Sequence, residues 1–142
     1  MKKYSIDGKY IEFEITENEL FENVDTYSKI IKDIHSIGAK VSMDDFGSGN
    51  TSLNILTKYN FDFIKLDKLF FKRQNFDENA MKSLKTIVTL SHELNKKVVA
   101  EGVESKEIVD FLKSIKCDII QGYYFAKPMP IDEYMRYIKK SD

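Results

Sequence analysis

Five times along the chain a short apolar run ends in polar residues capable of chemistry, and each time a helix-like segment follows. The runs are Tyr10–Ile15 ending at Glu14 and Glu17, Ala39–Met43 ending at Asp44 and Asp45, and Phe61–Leu66 ending at Lys65 and Asp67. Lys97–Ala100 then ends at Glu101 and Glu104, and Cys117–Ile120 ends at Gln121. The runs alternate little between apolar and polar, as strands buried on both faces do. In a parallel α/β protein the carboxyl ends of the strands share one face, so these polar side chains are expected to converge on one site.

The helices between the runs are legible from their period. Tyr27, Ile30, Ile31, Ile34 and Ile37 form one apolar stripe, with Gly38 placed to turn the chain at its end. Met81, Leu84, Ile87, Val88 and Leu94 form a second, Ile108, Phe111, Leu112 and Ile115 a third, and Ile131, Tyr134, Met135 and Ile138 a fourth. Leu53, Ile55, Leu56 and Tyr59 suggest a shorter helix. The repeating βα order predicts a parallel sheet with right-handed crossovers. An open doubly wound sheet suits 142 residues as one domain, residues 1–142. A closed barrel of eight βα units typically needs roughly 250.

Composition narrows the functional classes. A net charge of −1 argues against a nucleic-acid surface. The single cysteine, Cys117, excludes an intramolecular disulfide and fits a reducing, cytoplasmic setting. No apolar run reaches 18 residues, so no membrane span is expected, and the lysines at the start are followed by no apolar stretch of the secretory kind.

The segments Phe13–Glu17 (FEITE), Met43–Gly49 (MDDFGSG), Ile64–Asp67 (IKLD), Val98–Glu104 (VVAEGVE) and Gln121–Met129 (QGYYFAKPM) together resemble the EAL family of bacterial cyclic-di-GMP phosphodiesterases. Each string alone is weak; all five in the family's order, each at a strand end, are specific. The resemblance implies a modified (β/α)8 barrel, of which this chain matches the last five strands, and hydrolysis of cyclic-di-GMP to linear pGpG in second-messenger signalling. It also implies a two-metal site for Mg²⁺ or Mn²⁺, since hard cations that activate water and shield phosphoryl oxygens take oxygen ligands.

Carried over position by position, Glu14 resembles the family's metal-binding glutamate, although alone it would read as an outward residue of an edge strand. Glu17 resembles the glutamate that holds the glycine-rich loop, against a plain first-turn acid favoured by the helix dipole. Asp44 and Asp45 match the paired metal ligands; adjacent aspartates repel, and a cation compensates them better than a solvated turn does. Phe46, Gly47, Ser48 and Gly49 match the loop that links dimer contact to metal and substrate. Lys65 matches the lysine that orients the attacking water; it points opposite to Ile64 and Leu66, whereas a surface lysine would snorkel. Asp67 is its companion acid, and Glu101 resembles the catalytic glutamate, as general base or metal ligand. Gln121 matches a glutamine near the site, Glu104 reads as a loop or helix-start residue, Tyr123, Tyr124 and Phe125 as core and pocket wall, and Pro128 as closing the last strand. His35 and His92 lie in helical stretches and read as ordinary boundary residues.

The chain departs from the family pattern at one end. The Glu-Ala-Leu tripeptide, its following arginine and the Asn-x-Ser strand are absent, and Asn50-Thr51-Ser52 lies in the glycine-rich loop instead. Asn50 stands where tyrosine is common, and Ala126 where serine is. Five strands cannot close, so long apolar edges are expected at Tyr10–Ile15 and Cys117–Ile120, and with them a homo-oligomer paired through those edges or the glycine-rich loop. Three functional readings stay open: a phosphodiesterase, a non-cleaving module that binds cyclic-di-GMP or a protein, and a fragment of a longer enzyme. A receiver domain fits less well, because the acidic pair follows the second strand and Lys65 the third.

Overall fold

The strand order decides between the two architectures. The computed structural model, which describes residues 2–22, 24–47, 53–72 and 76–139, holds one all-parallel sheet in the order 1-2-3-4-5. Its strands are β1 (Glu12–Thr16), β2 (Lys40–Phe46), β3 (Phe63–Leu66), β4 (Lys97–Ala100) and β5 (Ile119–Ile120). A doubly wound sheet needs a reversal in that order, and here there is none. Sequential parallel strands joined by right-handed crossovers send every helix to the same face. The result is an unclosed arc of a singly wound barrel, with a helical layer on one face only.

The helices are α1 (Glu17–Glu22), α2 (Val24–Ser36), α3 (Leu53–Lys58), α4 (Glu78–Glu93), α5 (Lys106–Ser114) and α6 (Ile131–Ile138). Their starts have local causes. Glu19 reaches back over the start of α1, accepting from both the Thr16 amide and the Thr16 hydroxyl at Oε2, the return half of a capping box. Asp77 accepts from the Ala80 amide at α4, and Ser105 from the Ile108 amide at α5. Gly38, at φ +79°, turns the chain out of α2.

Alternation divides the sheet. Ile15, Val41, Met43, Ile64, Leu66, Val98 and Ala100 point into the helical layer and are buried against residues such as Leu20, Ile31, Leu56, Leu84, Val88 and Leu112. Burying each of the larger of these side chains is worth about 1.5–3 kcal/mol. The opposite face carries Glu12, Glu14, Thr16, Ser42, Asp44 and Lys65 in register. One face is therefore the helical core; the other carries these polar groups together with Phe63 and Val99, and buries Ser42, Lys65 and Val99 along its middle.

Several expectations are corrected. β1 starts at Glu12, because Gly8–Tyr10 is a turn of 3₁₀ helix. β2 does not stop at Met43 but runs to Phe46. β5 is two residues long, so the long apolar edge expected at Cys117–Ile120 does not exist. Pro128 lies in an exposed loop beyond β5 rather than closing it. Tyr123, Tyr124 and Phe125 are 56%, 40% and 46% exposed, not core. What would pack on them from a neighbouring barrel strand is not part of an open sheet. Ile131, Tyr134 and Met135 of α6 are exposed likewise.

The amino ends of the strands are fastened by one device used twice. Asp62, just before β3, accepts from His35 Nε2 (2.8 Å), the Val41 amide (2.9 Å) and Lys40 Nζ (2.7 Å). Asp118, just before β5, accepts from His92 Nε2 (2.8 Å) and the Val98 amide (2.9 Å). In both cases the histidine is in the last turn of the preceding helix and the amide belongs to the neighbouring strand. The sequence repeats accordingly: His35 precedes Lys40-Val41 by the same interval as His92 precedes Lys97-Val98. Burial alone would raise both carboxyl pKa values. The hydrogen bonds from Lys40, Val41 and His35 at Asp62, and from Val98 and His92 at Asp118, outweigh it and hold both below the ordinary value.

A depressed carboxyl stabilises the fold above its unfolded pKa and loses that contribution as pH falls through the folded one. Asp62→Asn and Asp118→Asn are each expected to lose about 1–3 kcal/mol at neutral pH in urea titrations. The wild-type chain is expected to weaken as pH drops below about 4, with a flatter profile in the double variant.

Candidate functional site

Lys65 stands in the middle strand of the arc, flanked by Ile64 and Leu66, which point into the core. Its side chain therefore projects onto the open face, where carboxylates from three other strands meet it. Lys65 Nζ lies 2.5 Å from Glu14 Oε1 on β1, 2.9 Å from Glu101 Oε1 just beyond β4, and 3.3 Å from Asp44 Oδ1 on β2. The lysine side chain is only 9% exposed. Burial would lower its pKa, but the hydrogen bonds to Glu14 and Glu101 and the charges of Glu101 and Asp44 win, and the ammonium is held well above its usual range.

Asp44 reaches this cluster because β2 contains a bulge. Met43 pairs with Ile64 and Phe46 with Leu66, so two residues of β2, Asp44 and Asp45, face the single Lys65 of β3. Asp45 absorbs the extra residue at φ +58°, in the left-handed region that aspartate tolerates better than most residues. The bulge breaks alternation: Asp44 takes the open face, and Phe46 drops into the core at 1% exposure. Phe46 is thus a core residue that anchors the strand end.

Asp45 is exposed and joins a second pair. Its carboxyl is pushed up by burial, by neighbouring Asp44, and by a hydrogen bond to the Asp67 carboxyl. Asp67 itself accepts from the Leu69 amide (2.6 Å) and starts the 3₁₀ turn Lys68–Phe71. That turn seats Phe70 against Gly47: a Cβ on Gly47 would fall 2.1 Å from the Phe70 ring, and Gly47 sits at φ +94°. Ser48 and Gly49 lie outside the described residues. Glu17 is buried, at 3% exposure, where α1 begins.

Beside the acids a cleft of about 1210 Å³ opens at the carboxyl ends of β3, β4 and β5, bounded by Lys68, Lys72, Phe76, Glu104, Gln121 and Tyr123. Glu104 and Gln121 thus sit at this cleft and not in the Lys65 cluster. Gly122 closes its floor, since a Cβ there would meet the Val103 carbonyl at 2.1 Å.

For a hard cation the donor chemistry fits: Glu14, Asp44, Asp45 and Glu101 offer only oxygens, and Asp44 Oδ1 is buried without a hydrogen-bond partner among the described residues. The arrangement is nevertheless organised about an ammonium. Among the described residues no three acid, histidine or cysteine side chains stand as a ready metal cage.

The family model of the EAL domain matches residues 1–128. The chain belongs to the EAL domain family. It is 38% identical to the oxygen sensor protein DosP of Escherichia coli over 94% of this chain and 17% of that protein. It is 33% identical to the cyclic di-GMP phosphodiesterase NbdA of Pseudomonas aeruginosa over 89% of this chain and 17% of NbdA. Among solved structures, the phosphodiesterase PaMucR in complex with c-di-GMP superposes with a TM-score of 0.85 at 30% identity, over 94% of this chain and 54% of that one. BlrP1 of Klebsiella pneumoniae, in a manganese and cyclic-di-GMP complex, gives 0.82 at 29% identity, over 89% and 32%. The chain therefore spans about a sixth of these curated relatives and about half or less of these solved chains.

The sequence reading put Glu14, Asp44, Asp45, Lys65, Asp67 and Glu101 at one site, of which this EAL domain gathers Glu14, Asp44, Lys65 and Glu101 and sets Asp45 with Asp67 in a second pair beside them. It passed over Lys68 and Lys72, which line the cleft, and Phe70, which fixes Gly47. Lys68 was signalled by its place directly after the strand-end Asp67, and Phe70 only by geometry. It also passed over the repeat that relates Asp44 to Glu101: each stands four residues after the lysine of a His–Lys-Val unit, and the two flank Lys65 from either side.

Gly47→Ala is expected to cost about 1–3 kcal/mol in chemical denaturation, from the positive φ and the ring contact together. In a Phe70→Ala background the cost should fall to the backbone part, about 1 kcal/mol. Equal costs in the two backgrounds would contradict the contact.

Proposed function

We propose that residues 1–142 are the carboxyl-terminal part of an EAL phosphodiesterase domain that acts on cyclic-di-GMP, in the bacterial cytoplasm, and yields linear pGpG. The observation that carries this reading is the convergence of Glu14, Asp44 and Glu101, from three strands, on the buried ammonium of Lys65 at the carboxyl face of a parallel sheet. It is supported by the phosphodiesterase named among the relatives and by the cyclic-di-GMP complexes of the similar structures.

Each residue then has a task. Glu14, Asp44, Asp45 and Glu101 would hold a divalent cation, Mg²⁺ or Mn²⁺, a reading supported by the manganese in the BlrP1 complex. When bound, the cation supplies Lewis-acid activation of water and neutralises charge on the phosphoryl oxygens. Lys65 would orient the water and Glu101 would take its proton as the water oxygen bonds to phosphorus, while one P–O ester bond of the ring breaks and its electron pair leaves on the sugar oxygen to give linear pGpG. Asp67 holds the turn that places Lys68, and Gln121 and Glu104 meet the ligand at the cleft. Lys68 and Lys72 suit phosphates, and Tyr123 and Phe76 offer faces for a guanine base. Glu17, Gly47 and Pro128 shape the surrounding loops, and Ser48 and Gly49 belong, by the family resemblance, to the loop that meets metal and substrate.

The family's remaining metal ligands, on the Glu-Ala-Leu and Asn-x-Ser strands, are not in this sequence. Purified chain with cyclic-di-GMP and Mn²⁺ is therefore expected to turn over at least ~100-fold more slowly than a complete EAL domain. Chromatography of the products checks this, and Glu101→Ala should abolish what remains. Binding without turnover would make the chain a binding module; neither binding nor product would contradict the reading.

The open sheet also leads us to propose self-association. The β1 edge leaves a strand unpaired on one side, with Phe13 41% exposed, and Ile119, Ile131 and Met135 add an apolar surface at the other end. Light scattering at micromolar concentration is expected to give a mass above 16.6 kDa. A monodisperse monomer would contradict pairing.

A further inference from the structure

We propose that Lys65 is a built-in counter-ion that holds the cation position of the metal-free site and is exchanged out of it when a divalent cation binds. This rests on the reading that the carboxylates take a divalent cation. Lys65 directs its ammonium at one oxygen each of Glu14, Glu101 and Asp44. The ammonium is hydrogen-bonded to Glu14 and Glu101, and the charge of Asp44 lies 3.3 Å away on a third strand. Without a cation these acids, of which Asp44 and Glu101 are mostly buried, would repel one another.

The same oxygens are the ones a hard cation would need. A Mg²⁺ ion binds oxygen at about 2.0–2.1 Å, whereas these oxygens stand 2.5–3.3 Å from the nitrogen. One position cannot hold both charges. Asp44 is the loosest of the three, with Oδ1 near the ammonium but in no hydrogen bond, so it is placed to leave first. The backbone of Lys65 is fixed in the central strand, but its four-carbon stem is flexible, so the ammonium can swing aside while the acids stay. The exchange preassembles the ligands, and it weakens metal affinity through competition with the lysine.

The test measures Mn²⁺ affinity of the purified chain by calorimetry or by loss of the free Mn²⁺ resonance signal, in wild type, Lys65→Met and Lys65→Gln. The expected result is affinity about tenfold or more tighter in both variants, because a cationic competitor has been removed. Unchanged or weaker affinity in variants with wild-type circular dichroism would overturn the proposal. If the variants do not fold, labelling of wild type decides: acylation of Lys65, read by mass spectrometry, should rise several-fold when Mn²⁺ is added. Labelling that does not rise would then overturn the exchange. Absence of Mn²⁺ binding in all three chains would remove the metal reading as well, whereas binding that is indifferent to Lys65 would remove the exchange alone.

Discussion

The ammonium of Lys65 is the charge on which the open face depends. Three carboxylates on separate strands would push those strands apart if nothing positive lay between them. Lys65 sits where it can touch all three, since β3 lies between β2 and β4 and the Glu14 side chain reaches over from β1. Its own burial is tolerable only because those acids surround it; removing one partner of such a group leaves an uncompensated charge and costs far more than the pair is worth. The core face and the charged face are thus tied together through one residue, whose neighbours Ile64 and Leu66 are fully buried on the other side.

The fold divides its work between the two ends of the strands. At the amino ends, Asp62 and Asp118 lock each helix end to the next strand with a histidine and a backbone amide. At the carboxyl ends the side chains that could do chemistry gather. Singly wound sheets permit this separation because all helices lie on one face and all carboxyl ends on one rim. The two His–Lys-Val units unite both ends: each supplies a lock at the bottom of its strand and, at the top, one of the two acids flanking Lys65.

Much of this was legible in the sequence, and for physical reasons. Strands read as apolar runs because the second face is also buried along its middle, at Ser42, Lys65 and Val99, and Lys65 read as a site residue because simple parity opposes it to Ile64 and Leu66. Parity also explains the errors. Asp44 and Asp45 are adjacent and look equivalent, yet a bulge sends one to Lys65 and the other to Asp67, and it buries Phe46, which the family resemblance placed with the loop. A bulge depends on register with a neighbouring strand, which no local pattern records. The aromatic run Tyr123–Phe125 read as core because apolarity is local information, whereas burial depends on what packs there. The histidines were read one at a time, and only their repetition marks them as locks.

The central claim is that Lys65 couples acids of three strands, and double-mutant cycles test it most directly. Lys65→Met would be combined in turn with Glu14→Gln, Asp44→Asn and Glu101→Gln, and unfolding free energies compared. The account predicts coupling of about 1 kcal/mol or more with Glu14 and with Glu101, and less with Asp44. Additivity within about 0.5 kcal/mol for all three pairs would contradict it.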